Sequence, residues 1–313
     1  MSIPNPASPF SNQNDTIVAD TFFVKDIIRL YKDQLEMDVS RFFTGNEQIL
    51  LYKDIKTGYR FYHPANLSGD GKFYEDLQNK LGEGYYHEWK FENQLAYDEI
   101  IPGDKVLDIG CGTGNFLLKA KEKTNETYGL ELNEKAVAEC TKKDLTVFNE
   151  LIQEHSKTHD NFYDVVCMFQ VLEHIYDVST FLASSLKVLK KGGKLIIGVP
   201  NSEPYFLGYD KYSTLNLPPH HMGLWNKNVF KALPILYNLK LLKTKYDIKG
   251  RIIAEAYVRA KYLAGIISVP GKHSVKDKIL ISLFGVLTIP ATFIKKITKG
   301  LHGSHIAVVF EKK

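Results

Sequence analysis

Cysteine is scarce in this chain. Its 313 residues include three, Cys111, Cys140 and Cys167, too few and too scattered for a disulfide framework or a cysteine-bound zinc. All three fall in or beside apolar segments and are expected to be buried, reduced thiols, which points to a reducing compartment. A secretory signal is absent as well. The opening MSIPNPASPFSNQND has neither a basic nor an apolar region, so residues 1–20 are expected to form a loose cytoplasmic tail. No apolar run is long enough to span a bilayer. The best candidate, Ile279 to Ile294, has sixteen residues with Pro290 inside. Internal repeats and low-complexity tracts are missing too, which excludes solenoid and disordered classes.

What is present is an ordinary globular balance, 44% hydrophobic and 24% charged, in a chain long enough for one large domain and an appendage. The net charge of +4 hides an asymmetry: from Leu239 onward there are 15 basic against 4 acidic residues, and 25 against 32 before it. A basic C-terminal third suits either an anionic partner or a solvated face. Residues 21–90 are rich in aromatics (RFF, GYRFYHP, KFYEDL, GYYHEWKFE) and predict a small lobe. Within it, ILLYKDI and GYRFYHP flank Lys56-Thr57-Gly58 as a hairpin, and Asp76 to Leu81 reads as a short helix stopped by Gly82 and Gly84. From 91 to 313 strands alternate with helices: KVLDIG, NFLLKAKEK, ETYGLEL, NEKAVAECTKK, LTVF, YDVVCMF, VSTFLASSLKVLKK with its Gly192-Gly193 stop, then KLIIGVP. A helix from Asn226, a strand near LKLLKTKYDI and a final strand HIAVVFEKK complete the series. The alternation predicts an α/β fold, doubly wound on a mostly parallel seven-stranded sheet, with ligands bound beyond the carboxyl ends of the strands. A basic, apolar insertion at about 249–300 interrupts it.

The segment VLDIGCGTGNF, Val106 to Phe116, carries the first chemical signal. A dinucleotide loop needs G-x-G-x-x-G, but Asn115 stands where the third glycine belongs, and Gly114 comes one position early. A phosphate-loop Lys-Ser/Thr is missing. Asp108, at the end of a buried strand, would repel a pyrophosphate and suits a ligand that brings positive charge. S-adenosylmethionine does so, with an ammonium, a sulfonium and no phosphate. Glu131 ends the next strand, where a carboxylate can accept both hydroxyls of a ribose.

With these residues in place the chain resembles the class I S-adenosylmethionine-dependent methyltransferases. VLDIGCGTGNF, GLELN, YDVVCMFQVLEHI and LKVLKKGGKLIIGVPN occur in the family's order, covering roughly residues 91–200. The wording FQVLEHI, GVPN and PPHHMGLWN is most similar to the ubiquinone O-methyltransferase-like branch, which includes enzymes that modify saccharides and small molecules. The resemblance implies that Gly110, Cys111, Gly112, Gly114 and Asn115 cradle the cofactor and that Asp108 holds its ammonium. It also implies that Glu131 holds the ribose, that Leu132 lies against the adenine, and that Gln170 and Glu173 flank the methionine portion. For Gln170 and Glu173, capping of the following helix is the structural alternative.

Methyl transfer to a hydroxyl benefits from a base, and histidine is the usual one. His174, His220 and His221 lie where strand ends gather. Neighbours in an extended loop point opposite ways, so His221 is the expected base, with His174 and His220 behind it. His302 and His305 lack carboxylate or cysteine company, and no metal is expected. The Asn/Asp-Pro-Pro-aromatic motif of nucleobase methyltransferases is missing, so nucleic acid is not expected as substrate despite the basic tail. The acceptor is expected to be a small molecule or a glycan, with a quinone or phenol as the alternative enzyme reading and a non-catalytic cofactor-binding scaffold as the third. The stretch 275–300, lysines around an apolar run, fits either peripheral contact with the inner face of a membrane or packing on the core.

Overall fold

The computed structural model describes residues 5–81, 89–203, 213–247 and 303–313, and the insertion expected at 249–300 lies outside them. The N-terminal lobe is an antiparallel sheet. Its strands β1 (Thr16–Phe23), β2 (Gln48–Asp54) and β3 (Arg60–His63) alternate with helices α1 (Val24–Leu35) and α2 (Gly71–Leu81). The expected hairpin is there. Asp54 accepts hydrogen bonds from the backbone N–H groups of Lys56 and Thr57, which fixes the turn between β2 and β3. From residue 5 onward the loose tail expected over 1–20 is not found: β1 already begins at Thr16, and Phe10 is buried against Tyr59 and Trp225, with ring centroids 5.3 and 5.5 Å away. One large ring among polar residues anchors a segment that has no periodicity to reveal it. Helix α2 likewise starts earlier than Asp76, because the Asp70 carboxylate accepts the backbone N–H of Phe73 and opens it.

Next comes the doubly wound domain: α3 (Phe91–Glu99), β4 (Val106–Ile109), α4 (Asn115–Ala120), β5 (Thr127–Leu130), α5 (Glu134–Lys142) and β6 (Thr146–Phe148). After α6 (Ile152–His155) come β7 (Tyr163–Phe169), α7 (Val178–Val188) and β8 (Leu189–Pro200). The short strand β9 (Gly223–Leu224), α8 (Lys227–Leu236), β10 (Leu239–Tyr246) and β11 (His305–Lys312) finish it. The large sheet has the order β10-β11-β8-β7-β4-β5-β6, parallel from β8 to β6 and antiparallel at β11 and β10. Every residue of β4 is buried, as a central parallel strand covered on both faces requires. Chain order reverses between β4 and β7, so the crevice for a ligand opens there.

Helix α7 does not run on to a Gly192-Gly193 stop as expected. It ends at Val188, Leu189 already pairs with Tyr163, and pairing resumes at Val165 with Lys194. Sheet pairing therefore captures LKKGG as a bulge, with Gly192 at φ +77 and Lys190 donating to Asp164. None of the helices among the described residues is long and apolar enough to cross a membrane.

Strand β9 matters most for the site. Although it follows the domain's fifth parallel strand in sequence, it pairs with β3 of the lobe. The lobe and the large domain are thereby stitched together at the loop that carries PPHH.

Candidate functional site

A cleft of about 1090 Å³ opens at the carboxyl ends of β4, β5 and β7. That exceeds the usual size for one small ligand. At one end lies the glycine loop. Gly110 has φ +75, and a Cβ there would meet Val171 Cγ2 at 2.6 Å, so both backbone and packing demand glycine. Gly114, at φ +78, turns the chain into α4, and a Cβ there would meet Leu145 at 2.3 Å. These approaches explain why glycines at 110 and 114, rather than the dinucleotide spacing, shape the loop.

Asp108 is the penultimate residue of β4, with 2% of its surface exposed, and its Oδ1 has no hydrogen-bond partner among the described residues. Burial, and then the nearby Glu131 and Cys140, push its carboxyl well above the ordinary range. A cationic ligand would relieve that cost. Glu131 is already oriented: Oε2 accepts the Gly112 N–H at 2.9 Å and Oε1 accepts the Asn133 N–H at 2.8 Å. Each oxygen keeps lone-pair capacity for a hydroxyl. Leu132, 59% exposed, faces the same cleft beside it, an apolar platform for a flat base. Cys111 and Asn115 line the cleft as well, and Cys140 Sγ donates to the Gly112 carbonyl at 3.3 Å from below. An orphaned carboxylate, a poised acceptor pair and a glycine cradle fit S-adenosylmethionine.

Gln170 takes φ +56, and its Nε2 donates to Glu92 Oε1 at 3.1 Å. Neither Gln170 nor Glu173 caps the following helix, since the Asp177 side chain does so by accepting the Thr180 N–H. The carbonyl of Glu173 accepts from Met222 and Gly223 and so ties the PPHH loop to the end of β7. Its carboxylate is buried at 2% exposure with Oε2 unpartnered among the described residues, and burial pushes it up to about 8.

The three histidines converge. The expected opposed arrangement of His220 and His221 is not found: the chain makes a turn there, both backbone N–H groups donate to Leu217 O, and the rings stack 4.3 Å apart at 20°. A turn, unlike a strand, does not alternate its side chains. The ring of His174 lies 4.8 Å from that of His220 and 5.0 Å from that of His221. Burial holds all three neutral, His174 near 4, His220 near 3 and His221 well below the ordinary value. The lobe supplies the frame: Tyr31 Oη donates to Leu217 O at 2.9 Å, and Tyr74 Oη approaches both His174 and the His220 carbonyl.

Sequence reasoning missed Glu92 and Tyr74. Glu92 is 1% exposed with Oε2 unpartnered among the described residues, yet in sequence it looks like an ordinary acid in a helix's first turn. Tyr74 is one of many lobe aromatics, and its reach to His174 spans 100 residues. Of the segment GYYHEWKFE, Trp89, Lys90 and Glu92 line the cleft, while residues 82–88 lie outside the described residues. His302 also lies outside them. His305 sits 3.5 Å from Asp247 at the cleft's edge.

Comparison with known proteins agrees with this geometry. Residues 83–233 match the model of the methyltransferase domain family. The ubiquinone biosynthesis O-methyltransferase of Sodalis glossinidius is 27% identical over 134 residues, 39% of this chain and 54% of that protein. The ubiquinone/menaquinone biosynthesis C-methyltransferase of Francisella philomiragia is 28% identical over 200 residues, 60% of this chain and 69% of that protein. A putative methyltransferase from Bacillus halodurans, of solved structure, superposes with a TM-score of 0.47 at 16% identity, covering 71% of this chain and 96% of that one. The chain spans about half the length of the first of these curated relatives. Strand order, glycine cradle, acidic pair and family match together make the domain around residues 83–233 a class I S-adenosylmethionine-dependent methyltransferase domain.

Proposed function

We propose that this chain transfers the methyl group of S-adenosylmethionine to an oxygen of a saccharide or other small molecule, lipid-carried acceptors included. The single observation that carries the reading is the shape of the cleft. It runs without a break from the Asp108–Glu131 cradle to the histidine cluster under the lobe. When bound, the cofactor supplies an electrophilic methyl on a sulfonium. Asp108 and Glu131 fix its two polar ends, the glycine loop lets it approach the backbone, and the lobe shields the histidine end from water. An acceptor hydroxyl held there is in position for in-line attack, and most of the rate comes from that positioning. In the metal-free chain His221, whose ring makes no hydrogen bond among the described residues, takes the hydroxyl proton. Glu173 Oε1 lies beside the cluster, 3.9 Å from His174 Nε2.

The aromatic lobe, whose faces stack on sugar rings, supports a saccharide acceptor. The basic C-terminal third and the apolar run at 279–294 support a lipid carrier at a membrane's inner face. A quinone or phenol acceptor is the second reading, favoured by the curated relatives, whose names are those of ubiquinone-pathway methyltransferases. The test is release of S-adenosylhomocysteine across nucleotide sugars, lipid-linked saccharides and catechols, with calorimetry of S-adenosylhomocysteine binding alongside. Turnover with catechols alone moves the reading to phenols. Binding without turnover on any acceptor leaves a scaffold, and no binding removes the methyltransferase reading altogether.

A further inference from the structure

Three imidazoles are more than one proton transfer needs, and the protonation of two of them follows from their partners. Nδ1 of His174 lies 2.6 Å from the carbonyl of His220, and Nδ1 of His220 lies 2.9 Å from the carbonyl of Leu215. A carbonyl only accepts, so both Nδ1 atoms carry the proton, and each neutral ring keeps its lone pair on Nε2. A ring N–H bound to a backbone carbonyl is also the way metal-ligating histidines are oriented. Ring nitrogens of His174, His220 and His221 all lie within 4.8 Å of one another. A tetrahedral shell with nitrogens at about 2.1 Å holds them roughly 3.4 Å apart, so ring rotations on the order of 1 Å close it. Glu173 makes the cluster more than three packed rings. Its buried carboxylate faces the same cleft, with Oε1 3.9 Å from His174 Nε2 and Oε2 unpartnered among the described residues. A fully buried carboxylate oxygen without a partner among the described residues is a costly arrangement that a cation would repay.

We propose that His174, His220 and His221, with Glu173 as the fourth donor, bind one divalent first-row transition ion of the zinc or cobalt kind. A set of three imidazoles and one carboxylate selects such ions over magnesium or calcium, which prefer all-oxygen shells. The site departs from the expectation that no metal binds, because its ligands come from two segments 46 residues apart that no metal-spacing pattern joins. In its consequence the proposal rests on the methyltransferase reading. An acceptor oxygen would enter the ion's shell as a fifth ligand and be acidified there, its O–H proton would pass to water, and the rings would serve as ligands in place of a base.

The test uses the full chain, stripped with a chelator and titrated with Co²⁺ and Zn²⁺. One Co²⁺ per chain is expected, with visible absorption of a low-coordinate site displaced by Zn²⁺. X-ray absorption of the Zn²⁺-loaded wild type should show imidazole nitrogens at about 2.0–2.1 Å, a readout that needs no variant to fold. His220→Gln and His221→Gln should each weaken Co²⁺ binding by roughly tenfold or more, while S-adenosylhomocysteine binding by calorimetry attests to an intact cleft. Wild type that binds S-adenosylhomocysteine but takes up no Co²⁺, or a Zn²⁺ shell without imidazole, overturns the proposal. Stoichiometric Co²⁺ uptake lost in the histidine variants, in a chain that fails to bind S-adenosylhomocysteine, upholds the metal site and removes the methyltransferase reading instead.

Discussion

The two ends of the cleft are built differently. At the cofactor end the acids and the glycine loop come from one short run of chain. The acid of β4, the glycine loop and the acid of β5 fall between Asp108 and Leu132, and the key bond, Gly112 to Glu131, spans 19 residues. At the histidine end the parts come from four distant segments. Tyr31 reaches Leu217 across 186 residues, Tyr74 reaches His174 across 100, and β9 leaves the large domain to pair with the lobe. The first end is a property of one supersecondary unit and survives wherever β4-α4-β5 folds. The second exists only when lobe and domain are docked. Perturbations at the two ends should therefore separate into cofactor affinity on one side and acceptor recognition on the other.

The largest effect is expected from Glu131→Ala. It removes both diol acceptors and frees the Gly112 N–H, so hydrogen bonds to a charged group worth about 1.5–3 kcal/mol each are lost. Calorimetry should show S-adenosylhomocysteine affinity falling by about 100-fold or more. An unchanged affinity would mean that the cofactor lies elsewhere in the cleft. Gly110→Ala should be nearly as damaging, for two separable reasons: the positive φ costs an alanine about 1–2 kcal/mol, and its Cβ strikes Val171. Adding Val171→Ala relieves the clash alone. The double variant should regain part of the binding, and full recovery would show that backbone strain contributes nothing.

That contrast also explains what could be read from the chain. The cofactor end was legible because its chemistry is local: a buried strand, an acid and three glycines at fixed offsets admit few ligands. The doubly wound sheet was legible for the same reason, since each strand and helix carries its own period. Phe10 and β1 were not, because a single anchoring ring leaves no pattern in a polar, proline-containing stretch. LKKGG read as a helix stop, since its glycines say that a helix must end but not that a neighbouring strand will claim the residues first. For the histidine pair, nothing in the sequence shows that the loop turns at Leu217 and does not extend. Glu92 was hidden more deeply. Only burial distinguishes it from a surface acid, and that burial comes from the packing of its helix on β8.

On the histidine side a smaller effect is expected. Tyr31 is fully buried. Its hydroxyl donates to Leu217 O and lies 3.4 Å from the backbone N–H of His220. Tyr31→Phe keeps the ring and removes those bonds, at a cost of about 1 kcal/mol or more. The loop bearing His220 and His221 should loosen. The measurable result is a raised KM for the acceptor with S-adenosylhomocysteine affinity unchanged, whereas equal losses in both would show that the two ends are coupled.

The smallest effect, and the one that tests the lobe as a unit, concerns Asp54. This carboxylate is fully buried and holds three things at once: the turn of the hairpin through Lys56 and Thr57, Ser11, and through Ser11 the segment carrying Phe10. Burial alone would raise its pKa, but donation from Ser11, Thr57 and Ser8 outweighs burial, and the net shift is downward. A carboxyl whose folded pKa is depressed contributes stability above its unfolded value, about 3.9, and that contribution is lost as pH falls through the folded value. Asp54→Asn should therefore destabilise the chain by about 1–2 kcal/mol at neutral pH in urea unfolding, with the gap to wild type closing as pH falls below the ordinary carboxylate range. Cofactor affinity at neutral pH should not change, because the bonds of Asp54 run to Ser11, Lys56 and Thr57 and not to the segment between Asp108 and Leu132. A gap that persists unchanged into acid would mean that Asp54 acts by packing and not by charge. A loss of cofactor affinity would mean that the lobe also holds the far end of the cleft, and the division between the two ends would fail.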